Sequence, residues 1–203
     1  MPTTPRFIVD AMLGDLARWL RMLGYDTKYN KNYEDWQLIK IAMDEDRILL
    51  TRDMSLFRRA NTTFRKAGRD HLRAFYLEWG DIEDVLANLA ILLRRKLNID
   101  LRLDIDPLDT RCPICNSPLR YTTSLVEIAG RVPEVIANRY REFWICSGCG
   151  KVYWRGKHWI TIEEKLKKAK EKISSSMISK EAKITKKFLL RSRRKHIRRE
   201  TKA

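Results

Sequence analysis

The chain lacks an apolar segment long enough to cross a membrane. Its longest apolar stretch, near Val85 to Leu93, contains Asn88 and ends in Arg94-Arg95-Lys96. A spanning helix needs about 20 predominantly apolar residues. Arg6 and Asp10 interrupt the start of the chain, so it shows no apolar leader. These absences argue against a membrane protein and predict a soluble, cytoplasmic one.

Cysteine is sparse, and its distribution is informative. All four cysteines fall into two pairs, Cys112-Pro-Ile-Cys115 and Cys146-Ser-Gly-Cys149. Two residues between thiolates let both sulfurs bind one ion from a tight turn, and two such turns complete the tetrahedral sulfur set that zinc prefers. Asn116 and Gly150 follow the pairs and suit turns with unusual backbone angles. The pattern predicts a structural zinc site, with two disulfides or a thioredoxin-like redox pair as the alternatives.

Acidic residues are scarce towards the C-terminus. Residues 165–203 contain sixteen Lys or Arg and three Glu, a net charge of +13, so residues 1–164 carry only +3 of the total of +16. A segment with this much positive charge, next to a region whose charges nearly cancel, indicates a polyanionic partner, most commonly a nucleic-acid backbone. An anionic membrane surface and a solvated helix without a partner are the alternatives. The predicted RNA contacts in this segment are Arg191, Arg193, Arg194, Lys195, Arg198 and Arg199.

Residues 1–105 alternate strand-like and helix-like patterns, which predicts an α/β domain with a parallel sheet covered by helices. The predicted strands are Arg6 to Asp10, Tyr25 to Tyr29, Arg47 to Thr51 and His71 to Leu77. The predicted helices are Leu13 to Leu23, Trp36 to Ala42, with Asn32 or Asp35 as its cap, and Ile82 to Leu97.

Two further zones follow a boundary at Asp106-Pro107. Residues 106–160 hold the cysteines among short aromatic strands, and the thirty residues between the pairs predict a zinc ribbon with an inserted hairpin. Residues 161–203 form a basic extension, predicted as two helical stretches broken at Ser174-Ser175-Ser176.

Three aspartates follow or flank the predicted strands of the first zone. Asp10 ends the first strand, Asp53 follows the third, and Asp35 lies where the second helix begins. Ligands of parallel sheets bind beyond the carboxyl ends of the strands, and clustered carboxylates bind Mg²⁺ or Mn²⁺. Such an ion could activate water for attack on a phosphate. The alternative is that each aspartate caps the helix that follows it.

Several motifs occur in the order typical of one family. They are VDAMLGDLARWLRMLGYDT from Val9, LLTRD from Leu49, CPICN from Cys112 and FWICSGCGKVYW from Phe143. In these the chain resembles the Mut-seven C-terminal ribonuclease family, which is similar to the PIN-domain nucleases with a zinc ribbon appended. The resemblance covers about Arg6 to Trp159, and the basic extension lies outside it.

The resemblance implies a PIN-like fold and a metal-dependent endoribonuclease, with Asp10, Asp35 and Asp53 at matching acidic positions. PIN nucleases usually bring a fourth acidic residue, for which Glu34, Asp44 and Glu45 are only weak candidates here. Where the family tends to have a serine before a histidine, this chain has Lys157 before His158.

Basic residues near the aspartates and in the ribbon are candidate RNA contacts. Arg18 and Arg21 on the first helix could hold phosphates beside the metal, or form an ordinary solvated face. In the ribbon, aromatic side chains alternate with cations and could stack unpaired bases, although such rings also form small cores. The ribbon candidates are Lys151, Arg155, Lys157 and His158, the last of which could contact RNA or cap a turn.

Two functional interpretations remain open. In the first, the aspartates form a working metal site, and the ribbon and extension deliver RNA to it. In the second, the same fold is a non-catalytic scaffold on structured RNA, with ribosomal RNA and the ribosome as the obvious large polyanion. The presence of all three aspartates favours the enzyme, and the extension favours lasting attachment to RNA.

Overall fold

The computed structural model describes residues 4–176 and has a four-stranded parallel sheet at its centre. The sheet order is β2-β1-β3-β4, and every neighbouring pair is parallel. The strands are β1 (Phe7–Val9), β2 (Thr27–Tyr29), β3 (Ile48–Thr51) and β4 (Ala74–Tyr76). The helices that follow them are α1 (Gly14–Met22), α2 (Asp35–Asp44), α3 (Met54–Lys66) and α4 (Ile82–Leu97). The predicted α/β class is confirmed.

Helices cover both faces of the sheet. Phe7 and Val9 point to one face, where they pack with α1 and α4, while Ile8 between them points to the other, against α2 and α3. Successive residues of a strand alternate between faces, and a sheet covered on both sides buries them all. Every residue of β1 and β3 is buried accordingly.

The cap of α2 differs from the prediction. Glu34 is the N-cap, and its carboxylate and the side chain of Gln37 form a reciprocal capping box. Asn32 lies two residues before the cap, and Asp35 is already the first residue of the helix. Neither of them therefore caps it. Asp35 lies in the first turn, where a negative charge is favourable to the helix dipole.

The second zone is an antiparallel sheet of three short strands, β5 (Leu119–Thr122), β6 (Phe143–Cys146) and β7 (Val152–Tyr153). The segment between β5 and β6 contains two short helices, α5 (Leu125–Ile128) and α6 (Glu134–Arg139). The interval between the cysteine pairs therefore contains an antiparallel strand pair, as an inserted hairpin requires, but two helices and not a tight turn connect its strands. The reason is that Ile128, Ile136 and Ala137 of these helices pack on Phe143 and Ile145 to give the ribbon a small core.

Residues 157–176 are helical, and we call this helix α7. The sequence predicts a break at Ser174-Ser175-Ser176, but these residues are helical, with the Ser174 and Ser175 hydroxyls donating to carbonyls one turn back. The second predicted helical stretch lies outside the described residues. Leu166 and Ala169 are buried in the core that α1 and α4 share. Lys165 also forms an ion pair of 3.2 Å with Glu83 of α4. The start of the predicted extension is thus packed on the first domain.

Within residues 4–176, no helix combines the length and the apolar content that crossing a membrane requires.

Candidate metal centre and acidic sheet edge

The four cysteine sulfurs converge on one point. Their Sγ atoms all lie within 4.8 Å of one another, with Cys112 and Cys149 separated by 3.7 Å and Cys115 and Cys146 by 3.3 Å. Sulfurs bound to zinc at about 2.3 Å in a tetrahedron would be separated by about 3.8 Å. All four cysteines are free thiols in the structure. The group could therefore hold a structural zinc ion.

Two matching turns build this centre. Asn116 and Gly150 follow the pairs with φ of 69° and 73°, and their backbone N–H groups donate to the carbonyls of Cys112 and Cys146 at 2.9 and 3.1 Å. Positive φ is easiest for glycine and is tolerated by asparagine. The predicted unusual angles after each pair are confirmed.

The sulfurs differ in their surroundings. A hydrogen bond from the backbone of Ser117 lowers the pKa of Cys115 to about 6, and burial raises the pKa of Cys146 to about 12. The Tyr153 hydroxyl lies 3.1 Å from the Cys112 sulfur. Four neighbouring sulfurs cannot all ionise without a cation, so a divalent metal is what would let each become a thiolate ligand.

Arg21 attaches the first cysteine turn to the parallel sheet. Its guanidinium donates to the carbonyls of Pro113 and Ile114 at 3.0 and 2.9 Å, and to that of Thr27 at 2.9 Å. Burial lowers the pKa of Arg21, while negative charge on Cys112 and Cys115 favours its charged form. The residue is only 5% exposed. This burial is at odds with the predicted phosphate contact, because the guanidinium is engaged inside the protein.

Asn116 makes a second connection between the ribbon and the sheet. Its side chain accepts from Thr27 N at 3.0 Å and donates to Asp26 at 2.7 Å. The Asp26 carboxylate also accepts hydrogen bonds from both terminal nitrogens of Arg47, at 2.9 and 2.8 Å. Although burial opposes ionisation, the bonds from Arg47 and Asn116 lower the pKa of Asp26. The zinc-ribbon turn is therefore part of the hydrogen-bonded interior of the first domain.

Asp10 lies at the carboxyl end of β1 and is buried. Its Oδ1 accepts from Met12 N at 2.9 Å, and its Oδ2 accepts from Arg52 N at 2.9 Å and from the hydroxyl of Thr51. The Thr51 hydroxyl in turn accepts from Asp53 N at 2.8 Å. Because β1 and β3 are parallel neighbours, Asp10 and Asp53 leave the same edge of the sheet, and Thr51 links them.

The other two aspartates are more exposed and have structural partners of their own. Asp53 is the N-cap of α3, and its Oδ1 accepts from Ser55 N at 2.6 Å and from Leu56 N at 3.2 Å. Asp35 forms an ion pair with Arg59 of α3. Asp10 caps the short 3-10 helix Ala11–Leu13 that precedes α1, and Asp53 caps α3. The capping role that the sequence left open is therefore present for these two aspartates.

The three aspartates are not gathered as the cysteines are. Among residues 4–176, the four cysteines form the sole group of three or more His, Cys, Asp or Glu side chains close enough to hold one ion together. The aspartates share a sheet edge, but in the described residues each carboxylate is engaged by its own set of backbone, hydroxyl or guanidinium groups. The weak fourth candidates are also engaged, since Glu34 caps α2, Asp44 pairs with Lys40, and Glu45 pairs with Lys28 and Arg47.

Exposed aromatic and cationic side chains surround this edge, and sequence reasoning missed them. Trp36 and Trp79 are 60% and 69% exposed. The guanidinium of Arg52 lies 4.2 Å from the centre of the Trp79 ring, a cation–π contact. Their positions in the sequence could have indicated them, because Trp36 directly follows Asp35 and Arg52 directly precedes Asp53.

Apart from Arg21, the predicted RNA contacts fall into three groups. Arg18 is exposed on α1 and lies 3.3 Å from Asp15. Lys151, Arg155, Lys157 and His158 are exposed on the ribbon and at the start of α7. Arg191, Arg193, Arg194, Lys195, Arg198 and Arg199 lie outside the described residues.

The structure thus joins a parallel α/β domain, with aspartates beyond the carboxyl ends of its strands, to a four-cysteine ribbon. The sequence model of the Mut7-C RNAse domain matches residues 5–166, so the chain belongs to that family. The match extends into α7, in agreement with the packing of Leu166 on the first domain. Comparisons with curated proteins and with solved structures find no match. Membership indicates a ribonuclease-related role with RNA as the partner.

Proposed function

We propose that the protein is an endoribonuclease that depends on Mg²⁺ or Mn²⁺ and cleaves RNA at the carboxyl edge of its PIN-like sheet. The observation that supports this most is the shared edge of Asp10, Asp35 and Asp53 in a member of a ribonuclease family. Oxygen ligands from two or three carboxylates suit these hard cations, which keep waters for a phosphate.

The aspartates could serve a metal without losing all of their present bonds. Within the described residues, the cap on α3 uses Oδ1 of Asp53 and leaves Oδ2 for another ligand. Asp35 would give up its ion pair with the guanidinium of Arg59 and bind the metal ion, whose charge is more compact. The bound metal would activate water and stabilise charge on the phosphate, and Asp10, buried and bonded to Thr51, would fix its position.

The test is cleavage of labelled RNA by the full-length protein with Mn²⁺ or Mg²⁺ added, compared with Asp10→Asn. The substitution should remove cleavage and leave the zinc content unchanged, while the free energy of unfolding falls by about 1–3 kcal/mol, because an amide nitrogen cannot accept the hydrogen bonds that one carboxylate oxygen accepts. Asp100→Asn, which removes a charge from an exposed carboxylate paired with Arg94, is the matched control and should cleave normally. Cleavage by Asp10→Asn at the wild-type rate would contradict the proposal.

The capping roles of Asp10 and Asp53 favour a second candidate, in which the fold is a non-catalytic scaffold on ribosomal RNA. In this case the protein should co-sediment with ribosomal subunits and cleave no RNA with either metal. Cleavage that disappears in Asp10→Asn would argue against the scaffold.

We propose that the ribbon and the basic C-terminal residues hold the RNA. Residues 177–203 carry a net charge of +9. Each phosphate neutralised on single strands contributes about −0.7 to the slope of log affinity against log salt, so a chain ending at residue 176 should show a shallower slope. Truncation at 160 is unsuitable, because it removes Leu166 and Ala169 from the core. Equal slopes for the full and shortened chains would show that these residues do not bind the RNA.

A further inference from the structure

A cavity of about 510 Å³ opens between the ribbon, the N-terminal end of α7 and the end of α1. Its volume lies within the range of about 300–1,000 Å³ that proteins use for small ligands. It is separate from the acidic edge, because none of the three aspartates lines it. Neither zinc coordination nor the proposed cleavage accounts for it.

Aromatic rings form much of the cavity wall. Trp144, on β6, is 5% exposed and its indole nitrogen donates to the Pro107 carbonyl at 2.7 Å, which fixes the ring. Tyr140 and Trp154 lie with their ring centres 6.5 Å apart, and Trp159 of α7 completes the group. The rings of Tyr140, Trp154 and Trp159 are partly exposed, and flat rings of this kind stack on planar ligands.

The mouth of the cavity is cationic. Arg139, Lys157 and His158 line it and are exposed, and none of the residues lining it is acidic. Arg111 also lines it, but its guanidinium donates to the carbonyls of Gly24 and Asn116. The guanidinium of Arg155 lies 5.6 Å from the Trp144 ring and 5.1 Å from the Trp159 ring, beside the same wall. An anionic group attached to the ligand would be attracted here.

We propose that this cavity binds a single unpaired nucleotide of RNA, with its base stacked among the rings and its phosphate held by the cations at the mouth. A flat apolar ring joined to a negative phosphate matches both the wall and the rim. An uncharged apolar ligand would have no group for the cationic side chains to bind. A lipid chain has no flat ring that could stack on the aromatic side chains. The inference rests on the proposed function only in taking RNA as the ligand.

The nucleotide site would act as an anchor for the substrate. It is built by the ribbon and by α7, and it includes Met22 at the end of α1, so RNA held there also lies against the first domain. Lys157 and His158, predicted from sequence as RNA contacts, belong to this cavity rather than to a flat surface.

The test is binding of AMP, and of a short fluorescein-labelled oligoadenylate, to the full-length protein and to Trp159→Leu. Leucine keeps an apolar side chain and removes the stacking plane, so affinity should fall about 5- to 150-fold, equivalent to about 1–3 kcal/mol for one stacked base. Trp159→Phe restores a ring and should recover most of the affinity. Asp10→Asn should bind as the wild type does, whether or not the wild type cleaves RNA, which separates this inference from the proposed function.

Trp79→Leu is the matched control, because it removes an exposed ring of the same type at the acidic edge. A loss of AMP binding in Trp79→Leu but not in Trp159→Leu would overturn the proposal. Zinc content confirms that each variant retains the ribbon. If Trp159→Leu loses zinc, Arg139→Gln combined with Lys157→Gln replaces it and should weaken binding most at low salt. Binding of a fatty acid but not of AMP, or wild-type affinity for AMP in Trp159→Leu, would also contradict the inference.

Discussion

The cysteine centre and the acidic edge differ in the partners of their ligand atoms. The four cysteine sulfurs come together on two short turns, and their neighbours are mainly one another. The three aspartates lie along one sheet edge, but each accepts hydrogen bonds or pairs with an arginine that stabilises the local fold. The first arrangement is typical of a structural site, in which metal binding and folding are coupled.

The difference also separates the kinds of effect that substitutions should have. Changes at the cysteine centre should alter the fold first and RNA chemistry only as a consequence. Changes at the acidic edge should alter RNA chemistry, with an effect on stability limited to the loss of a cap or a hydrogen bond. Four predictions test this contrast, from the largest expected effect on stability to the smallest.

Cys146→Ser should release the zinc ion and unfold the segment from about Cys112 to Trp159. Structural zinc contributes apparent binding free energies of about 10–16 kcal/mol in small zinc domains, so this substitution should reduce stability more than the other three do. The first domain should also lose stability, because Arg21 and Asn116 connect it to the first cysteine turn. Metal analysis and limited proteolysis measure both effects.

Ser147→Ala is the control for this change. The Ser147 hydroxyl donates to the Pro118 carbonyl at 3.0 Å on the exposed side of the same turn. The variant should retain one zinc ion per chain. A Cys146→Ser protein that also retained one zinc ion would contradict the four-cysteine centre.

Arg21→Met should lower the free energy of unfolding by about 3 kcal/mol, because the carbonyls of Thr27, Pro113 and Ile114 lose their donor in a largely buried contact. Arg18→Met, on the same helix but exposed, should change it by less than about 0.5 kcal/mol. Urea unfolding of both variants measures the contrast. Equal effects would mean that the Arg21 contacts do not attach the ribbon to the sheet.

Asp26→Asn should reduce stability by about 1–3 kcal/mol at neutral pH, since the bonds from Arg47 and Asn116 favour the ionised carboxylate. The pKa of Asp26 is lowered in the folded protein from its ordinary value of 3.8. Its contribution is therefore complete above that value and is lost as the pH falls through the lower folded pKa. The difference between wild type and variant should be constant from pH 7 to about 5 and shrink below about pH 4.

Urea midpoints across this range, with zinc content measured at each pH, test the Asp26 prediction. A difference that persists unchanged at the lowest pH would mean that the effect comes from packing and not from ionisation.

Much of the first domain can be predicted from local sequence. The helix predicted from Ile82 to Leu97 has the same bounds in the structure, because its apolar residues repeat at helical spacing over four turns. The bounds of α3 are not predicted, since only Leu56, Ala60 and Phe64 are buried in a helix rich in polar residues. The cysteine centre is predictable because its spacing is local.

Contacts between distant parts of the chain are not predictable in the same way. Arg21 looks like any cation on an amphipathic helix, and its burial depends on a turn about ninety residues away. The docking of α7 depends on Leu166 and Ala169 finding a core built by residues far earlier in the sequence. The hydrogen bonds that the Asp10 carboxylate accepts from Thr51 and Arg52 join two strands about forty residues apart in the sequence. Such long-range packing has no signature in a single sequence.

Substitutions of Asp53 should have the smallest effect on stability of the four predictions. They should also separate the role of this residue as a helix cap from a role in RNA cleavage. Asp53→Ala removes the acceptor of Ser55 N and Leu56 N and should cost about 1 kcal/mol, whereas Asp53→Asn keeps a good cap and should be nearly neutral. If the acidic edge holds a catalytic metal ion, both variants should lose metal-dependent RNA cleavage, because both remove the charge. If the residue serves only as a cap, Asp53→Asn should match the wild type in every measurement, and Asp53→Ala should differ only in its thermal midpoint. Parallel measurements of thermal midpoint and RNA cleavage therefore decide whether the acidic edge is only part of the fold, as the cysteine centre is, or also carries out the reaction.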